Sequence, residues 1–304
     1  MKLRRSILSV PGHIQKMHHK AANSNTDSLI LDLEDSVPLN DKELARKTIV
    51  DSLKIIDFGN KFIHLRINSI ENHFSYKDLL EIIPEVGDKI DSILLPKVDT
   101  EKDVYFVQTL LEQLKEEYKI DKTINISISI ESAAGLENIS TIVKTSNLID
   151  SIHFGIADYS SSIGAKIISI SGHGENEENI YPGHRWAYVH SKIVNTAKAY
   201  NLLAFDAPFG NFKDPEGLKK SAQIALALGF DGKWAIHPEQ IEIINNIFTP
   251  QEEEITRAKM VIEALEEAKR NGKGAVSIDG RMVDHATIRL AKVTLEKAKI
   301  IEMM

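Results

Sequence analysis

A chain of 304 residues is long enough for one large α/β domain or two smaller ones, and a composition 42% hydrophobic and 27% charged supports a sizeable core. The formal net charge of −7 argues against a general nucleic-acid binder, while leaving room for a local basic funnel that takes an anionic ligand. Cysteine is absent, which rules out disulfides, thiolate nucleophiles and zinc–thiolate sites.

The opening Met1-Lys2-Leu3-Arg4-Arg5 is basic, but only a short apolar run follows before Pro11-Gly12. That run is too short for a signal-peptide core, and no stretch reaches transmembrane length, so a soluble cytoplasmic protein is expected. Short aliphatic runs then read as strands at 6–10, 28–33, 62–67, 92–95, 125–130, 151–154, 202–205 and 233–236. Amphipathic patterns between them predict helices over 41–56, 101–118, 136–144, 187–200 and 215–228. The first of these begins at Asn40 or Asp41 with Glu43 following, and carries Leu44, Ile49 and Leu53 on one side. Such βα alternation implies a parallel sheet flanked by helices. Eight strands within residues 1–249 point to a closed (β/α)8 TIM barrel, a fold that typically takes about 250 residues. An open doubly wound sheet is the alternative, but no glycine-rich phosphate turn follows any strand.

Two segments break the rhythm. Residues 164–183 are polar, bear glycines and histidines and lack periodicity, which reads as a lid rather than a simple link. Beyond Pro250 a highly charged helix over 251–270 uses Ile255, Met260, Ile262 and Leu265 as its apolar positions. A break at 271–274, an extended piece at 275–278 and a final helix over 284–299 complete a C-terminal helical module, residues 250–304. It is too small to be stable alone and should pack on the barrel or on a neighbouring subunit.

In a parallel barrel the active site lies at the C-terminal ends of the strands. The stretch SLILDLEDSV ends strand two with Asp32, Glu34 and Asp35. Strand three supplies Arg66 and Asn68, strand four Pro96-Lys97, strand five Glu131-Ser132, strand six Gly155-Ile156-Ala157-Asp158, and strand seven Asp206. Many acids thus face two cations, and such a carboxylate excess calls for a divalent ion; an all-oxygen donor set suits Mg²⁺ or Mn²⁺. Taken singly, each residue has a plainer reading. Asp32 or Glu34 caps a helix or pairs with Arg66, Glu131 is a solvated strand end, and Asp158 is an N-cap. Likewise His13, His18 and His19 form a wet helix face, and His237 before Pro238 orients a loop.

The motifs SVPG with a following Lys20, LILDLEDSV, LRIN, LLPKV, IESAAG, FGIADYSSSIG, FDAPFGNFKDPEG, GFDGKWAIHPEQI, FTP and GAVSIDGRMVDHATI occur in this order over nearly the whole chain. Together they resemble the citrate lyase β-subunit-like branch of the HpcH/HpaI aldolase superfamily, most closely its malyl-CoA and β-methylmalyl-CoA lyases. The resemblance implies a TIM barrel in which Glu131 and Asp158 are the two protein ligands of Mg²⁺. It implies that Arg66 contacts the substrate carbonyl and stabilises the enolate oxygen, with Asp32, Glu34 and Asp35 behind it, holding the arginine and metal-bound waters. Asp284 would be the catalytic acid, carried to a neighbouring subunit's barrel in a homo-oligomer, a trimer or hexamer. CoA would cross the barrel mouth with Lys20 near its phosphates, Ser9 and the Asp206-Ala207-Pro208 turn lining it, and Ala157 at the substrate. The chain departs from its close relatives at Ile14, where they carry an arginine, and Arg5 is the candidate replacement. The implied activity is a reversible Mg²⁺-dependent retro-Claisen cleavage of malyl-CoA, and also of β-methylmalyl-CoA, with no nucleic-acid or membrane partner. Citramalyl-CoA cleavage, malyl-CoA thioester hydrolysis and a citrate lyase β-like subunit role are the alternatives.

Overall fold

The computed structural model describes residues 2–166, 169, 172–175, 184–270, 275–278 and 280–302. Eight strands run parallel and close on themselves: β1 Ser6–Pro11, β2 Ser28–Asp32, β3 Phe62–Arg66, β4 Ser92–Leu95, β5 Asn125–Ile130, β6 Ile149–Phe154, β7 Leu203–Asp206 and β8 Gly232–Ala235. Closure comes from β1 pairing with β8, Ser6 opposite Lys233 and Leu8 opposite Ala235. These are the eight runs expected from the sequence, with ends shifted by a residue or two. Because strand side chains alternate with period two, every second residue faces the barrel interior. Ile7, Ile30, Leu94, Phe205 and Trp234 meet there as one buried cluster. Each such side chain contributes about 1.5–3 kcal/mol by leaving water. The barrel is therefore plugged at mid-height.

Below that layer the interior turns polar. Arg4 donates to Asp150 at 2.7 Å, Ser127 donates to Asp150 at 3.0 Å, and the Ser92 and Ser127 hydroxyls lie 2.8 Å apart. Trp234 Nε1 donates to His153 Nδ1 at 2.8 Å. Burial, with the charge of Arg4 nearby, holds His64 and His153 well below the usual histidine range, so both rings are neutral.

The surrounding helices are α1 Gln15–Ala22, α2 Lys42–Ile55, α3 Ser75–Val86, α4 Glu101–Tyr118, α5 Ala133–Ile142, α6 Ile156–Ser162, α7 Ala187–Ala199, α8 Pro215–Leu228 and α9 Glu239–Phe248. Local chemistry starts several of them. Thr100 and Asp103 form a reciprocal capping box on α4, and Asp214 caps α8 by accepting from Gly217 N at 2.9 Å, with Pro215 in the first turn. On α2 the buried apolar stripe is Ala45, Ile49 and Leu53, four residues apart, while Leu44 points outward, 51% exposed. The small alanine therefore takes the core position expected for Leu44.

A second correction concerns α1. His18 belongs to no wet face: it is fully buried, its Nδ1 2.8 Å from Ser52 Oγ and its Nε2 3.1 Å from Pro11 O. Two polar partners satisfy the ring, which is what makes its burial affordable. The expected lid over 164–183 falls largely outside the described residues.

The chain divides into two compact units, Lys2–Asn245 and the residues from Asn246 onward. In the second, α10 Glu252–Arg270 is followed by an antiparallel hairpin, β9 Val276–Ile278 with β10 Arg281–Val283, and by α11 His285–Glu302. Ala258, Val261, Leu265, Val283 and Ala291 form its core, with Ile262, Ile278, Ile288 and Leu295 packed against them. Of the apolar positions expected on α10, Met260 is 48% exposed, and the small Ala258 and Val261 are buried instead. The strand β10 is an addition to the sequence reading, and the expected break at 271–274 lies outside the described residues. Among the described residues no helix is long and apolar enough to cross a membrane.

Candidate active site

The three acids of SLILDLEDSV divide into different tasks. All five residues of β2 are buried, and its last one, Asp32, stands opposite the last residue of β3, Arg66. Register alone thus places a carboxylate against a guanidinium at the barrel's C-terminal rim. Arg66 Nε donates to Asp32 Oδ1 and Nη2 to Oδ2, both at 2.6 Å, a fork that fixes the guanidinium plane. Asp32 also accepts from Glu34 N at 2.9 Å, Ser36 N at 3.2 Å and the Ser36 hydroxyl. Burial pushes the Asp32 carboxyl up, but Arg66 and these donors outweigh it and hold the group below the usual range. Lys42 at the start of α2 donates to the carbonyls of Leu33 and Glu34 at 2.6 and 2.7 Å, tying down the turn that carries the acids. Beneath the guanidinium lies the Trp234 ring, its centroid 5.7 Å away.

Glu34 is only 4% exposed, while Asp35 reaches solvent. Glu34 Oε2 lies 3.2 Å from Arg66 Nη1, and Oε1 accepts from Lys97 at 2.6 Å. Burial and the charge of Asp35 raise the Glu34 carboxyl, against the pull of Arg66 and Lys97.

Glu131 is placed by β5 and is 5% exposed. Gly155, at the end of β6, makes room for it: a Cβ there would stand 2.5 Å from Glu131 Cγ and 2.8 Å from Cδ. Burial pushes the Glu131 carboxyl up to about 8, helped by the negative charges of Glu34 and Asp158 and opposed by Arg66. Asp158 sits in the first turn of α6, whose N-cap is Gly155, so it is not the cap that a plain reading assigns. Among the described residues no cluster of three or more His, Asp or Glu side chains is arranged to hold a metal ion. The chemistry nevertheless fits a hard divalent cation: among the described residues neither carboxylate, Glu131 or Asp158, has a cation within salt-bridge distance, and Glu131 sits buried against the further negative charges of Glu34 and Asp158. Two protein oxygens would leave the other coordination positions to water or a ligand.

Around the rim, Asp206 and Lys233 form a buried ion pair, both about 2% exposed. Lys233 also donates to Ala207 O at 2.6 Å, and His190 Nε2 lies 3.3 Å from Asp206 Oδ1. The Asp206 carboxylate is thus committed to holding the turn after β7, and Ala207 is buried beside it. Ser9 lies within β1, Ala157 in the first turn of α6, and Lys20 is exposed in the last turn of α1, which Ile14 precedes. Arg5 is no replacement for an arginine at position 14. It stands just before β1, at the opposite end of the barrel, and forks onto Asp27 at 2.8 and 2.9 Å. In the C-terminal unit Asp284 accepts from Thr287 N at 3.1 Å and so caps α11.

Sequence reading placed Gly155 at the rim without its role of making room for Glu131, and missed Ser36 and Lys42 as parts of this construction. Only Gly155 carried a signal, as a glycine closing an aliphatic run at a strand end.

The family model described as HpcH/HpaI aldolase/citrate lyase matches residues 5–238. An L-malyl-CoA/β-methylmalyl-CoA lyase of Cereibacter sphaeroides is 35% identical over 296 residues, covering 96% of this chain and 93% of the relative. A malyl-CoA/β-methylmalyl-CoA/citramalyl-CoA lyase of Chloroflexus aurantiacus is 32% identical over 305 residues, covering 96% and 86%. Among solved structures, protein CitE of Mycobacterium tuberculosis in complex with magnesium, acetoacetate and coenzyme A superposes with a TM-score of 0.77 at 25% identity, covering 98% of each chain.

Proposed function

The chain belongs to the HpcH/HpaI aldolase/citrate lyase family of lyases, and on that premise we propose that it cleaves malyl-CoA reversibly to acetyl-CoA and glyoxylate, and β-methylmalyl-CoA in the same way. The observation that carries this reading is the division of the rim. Arg66 is locked by Asp32 through Nε and Nη2, with Glu34 3.2 Å from its Nη1, and beside it stand the two carboxylates Glu131 and Asp158.

Breaking the bond between C2 and C3 of a 3-hydroxyacyl thioester leaves an electron pair on C2, spread onto the thioester oxygen. Arg66 donates to that oxygen, and its orientation is preset, so little reorganisation is needed as the charge develops. Glu131 and Asp158 hold Mg²⁺ or Mn²⁺, which when bound supplies a Lewis acid for the oxygen that becomes the aldehyde. The hydroxyl proton passes to solvent water, and Asp284 gives its proton to C2 to form acetyl-CoA. Solvent returns a proton to the Asp284 carboxylate, so no net proton is lost or gained. In condensation the Asp284 carboxylate takes that proton back. Asp284 acts from a neighbouring subunit's C-terminal module within a trimer or hexamer. CoA lies across the barrel mouth along Ser9, Ala157 and the turn at Asp206 and Ala207, with Lys20 near its phosphates.

Citramalyl-CoA is a second substrate on this reading, favoured by the substrate range in the name of the Chloroflexus relative. The two acceptors differ by one methyl, and a pocket discriminates that by only about 1–3 kcal/mol. The test is to incubate the purified protein with each thioester and follow glyoxylate, pyruvate and free thiol separately. Glyoxylate equimolar with malyl-CoA consumed, without free thiol, is the expected result. Free thiol without glyoxylate would replace the lyase by a thioesterase.

A further inference from the structure

One cation at the rim has no part in the reaction as written above. Lys97 follows β4 and Pro96, and its backbone φ is 52°, in the left-handed region that a lysine occupies only at a cost. Its ammonium donates to Glu34 Oε1 at 2.6 Å and lies 3.4 Å from Asp35 Oδ1. The other Glu34 oxygen lies 3.2 Å from Arg66 Nη1, so one buried carboxylate is stretched between two cations. The charge of Glu34 also acts on Glu131, and the charge of Asp158 on Lys97. Two observations therefore converge: an unfavourable backbone conformation is kept at this point, and the side chain it carries grips the carboxylate nearest in role to both halves of the site.

We propose that Lys97 is a positioning residue that pins Glu34 on the Arg66 side of the rim and keeps this third carboxylate away from the Glu131–Asp158 pair. The inference rests on the proposed role of that pair as cation ligands. Without the ammonium, Glu34 has two destinations. It can close fully onto Arg66 Nη1, taking an N–H that the enolate oxygen needs. It can also turn toward the cation and take a position that a reactant oxygen needs. Either movement slows turnover. Loss of a positive charge near Asp158, and any approach of Glu34, both tighten cation binding. Turnover and metal affinity should thus move in opposite directions, whereas a residue that merely holds the fold together would lower both.

The experiment compares Lys97→Met, Lys97→Asn and Lys97→Arg with the parent. Mn²⁺ affinity is measured by calorimetry without substrate, and kcat and KM are measured with malyl-CoA. Asparagine suits the left-handed backbone, so that variant removes the ammonium without adding strain. The Met and Asn variants should bind Mn²⁺ about threefold more tightly or better, as expected for removing one nearby positive charge. They should lose about tenfold or more in kcat with KM within about twofold, the pattern of an interaction made only in the transition state. The Arg variant, which still presents a cation to Glu34, should keep kcat within about threefold of the parent. Unchanged or weaker Mn²⁺ binding in the Met and Asn variants would overturn the proposal, as would parental kcat in Lys97→Asn. The titration needs no turnover. A parent that cleaves no malyl-CoA would sink the lyase reading and still leave Lys97 decided by its metal binding.

Discussion

Arg66 is gripped on one edge by a carboxylate fork and rests on an indole, and the two together fix its orientation. A lysine at this position would keep the charge as a point charge, without the planar fork that grips two Asp32 oxygens and holds its remaining donors in a fixed direction. Arg66→Lys should therefore lower kcat by about 10²–10³-fold, the usual loss when a preset donor to a developing oxyanion is removed. Circular dichroism and the melting curve should stay close to those of the parent. Near-normal turnover in steady-state assays would reduce Arg66 to a structural partner of Asp32. Much of this was legible in the sequence, because three acids ending an aliphatic run demand something positive at a rim. The division of labour among them was not. Which acid meets Arg66 depends on the pairing register of β2 with β3, and the grip of Lys97 on Glu34 spans 63 positions.

At the scale of elements, α1 shows why a helix face cannot be judged from charge alone. Its inward residue is His18, joined to Ser52 of α2 and to the carbonyl that ends β1. Period and polarity suggested a solvated face, because a histidine looks exposed until its partners are known. Burial holds the ring at about 4, against an ordinary value of 6.5. A folded-state value below the unfolded one means that the neutral ring contributes stability above about pH 6.5, and that this contribution is lost as the pH falls through about 4. His18→Ala should cost about 2–3 kcal/mol at neutral pH, from the emptied volume and the stranded Ser52 hydroxyl. Urea unfolding should show that cost shrinking toward pH 4. A cost that does not change with pH would mean the ring matters only as volume. The strands were the most legible elements, since each is a short aliphatic run bounded by turn residues. The hairpin strand β10 was hidden, because Arg281-Met282-Val283 is too short to show a period.

At the scale of the whole molecule, the two units carry different parts of the proposed chemistry. The barrel was readable from its βα rhythm, whereas no periodicity in the chain shows which barrel the proposed acid Asp284 would serve. Asp284 caps α11, so alanine would mix a helix-capping loss of about 1 kcal/mol with any catalytic loss. Asparagine keeps the capping oxygen and removes the acid. Asp284→Asn should abolish cleavage while leaving Mn²⁺ binding and oligomer size unchanged. Mixed under subunit exchange with inactive Glu131→Ala, it should regain part of the activity, because hybrid sites then pair an intact barrel with an intact acid. A mixture that stays inactive despite demonstrated exchange would place Asp284 at its own barrel or outside the reaction. The central claim is that a cation held by Glu131 and Asp158 and the fixed guanidinium of Arg66 together cleave a carbon–carbon bond. Its most direct test is glyoxylate release from malyl-CoA after rigorous chelation and after add-back of Mg²⁺, in the parent and in Glu131→Ala. The parent should fall silent and recover fully with Mg²⁺, while the variant stays silent throughout; full turnover in the chelated parent would contradict the account.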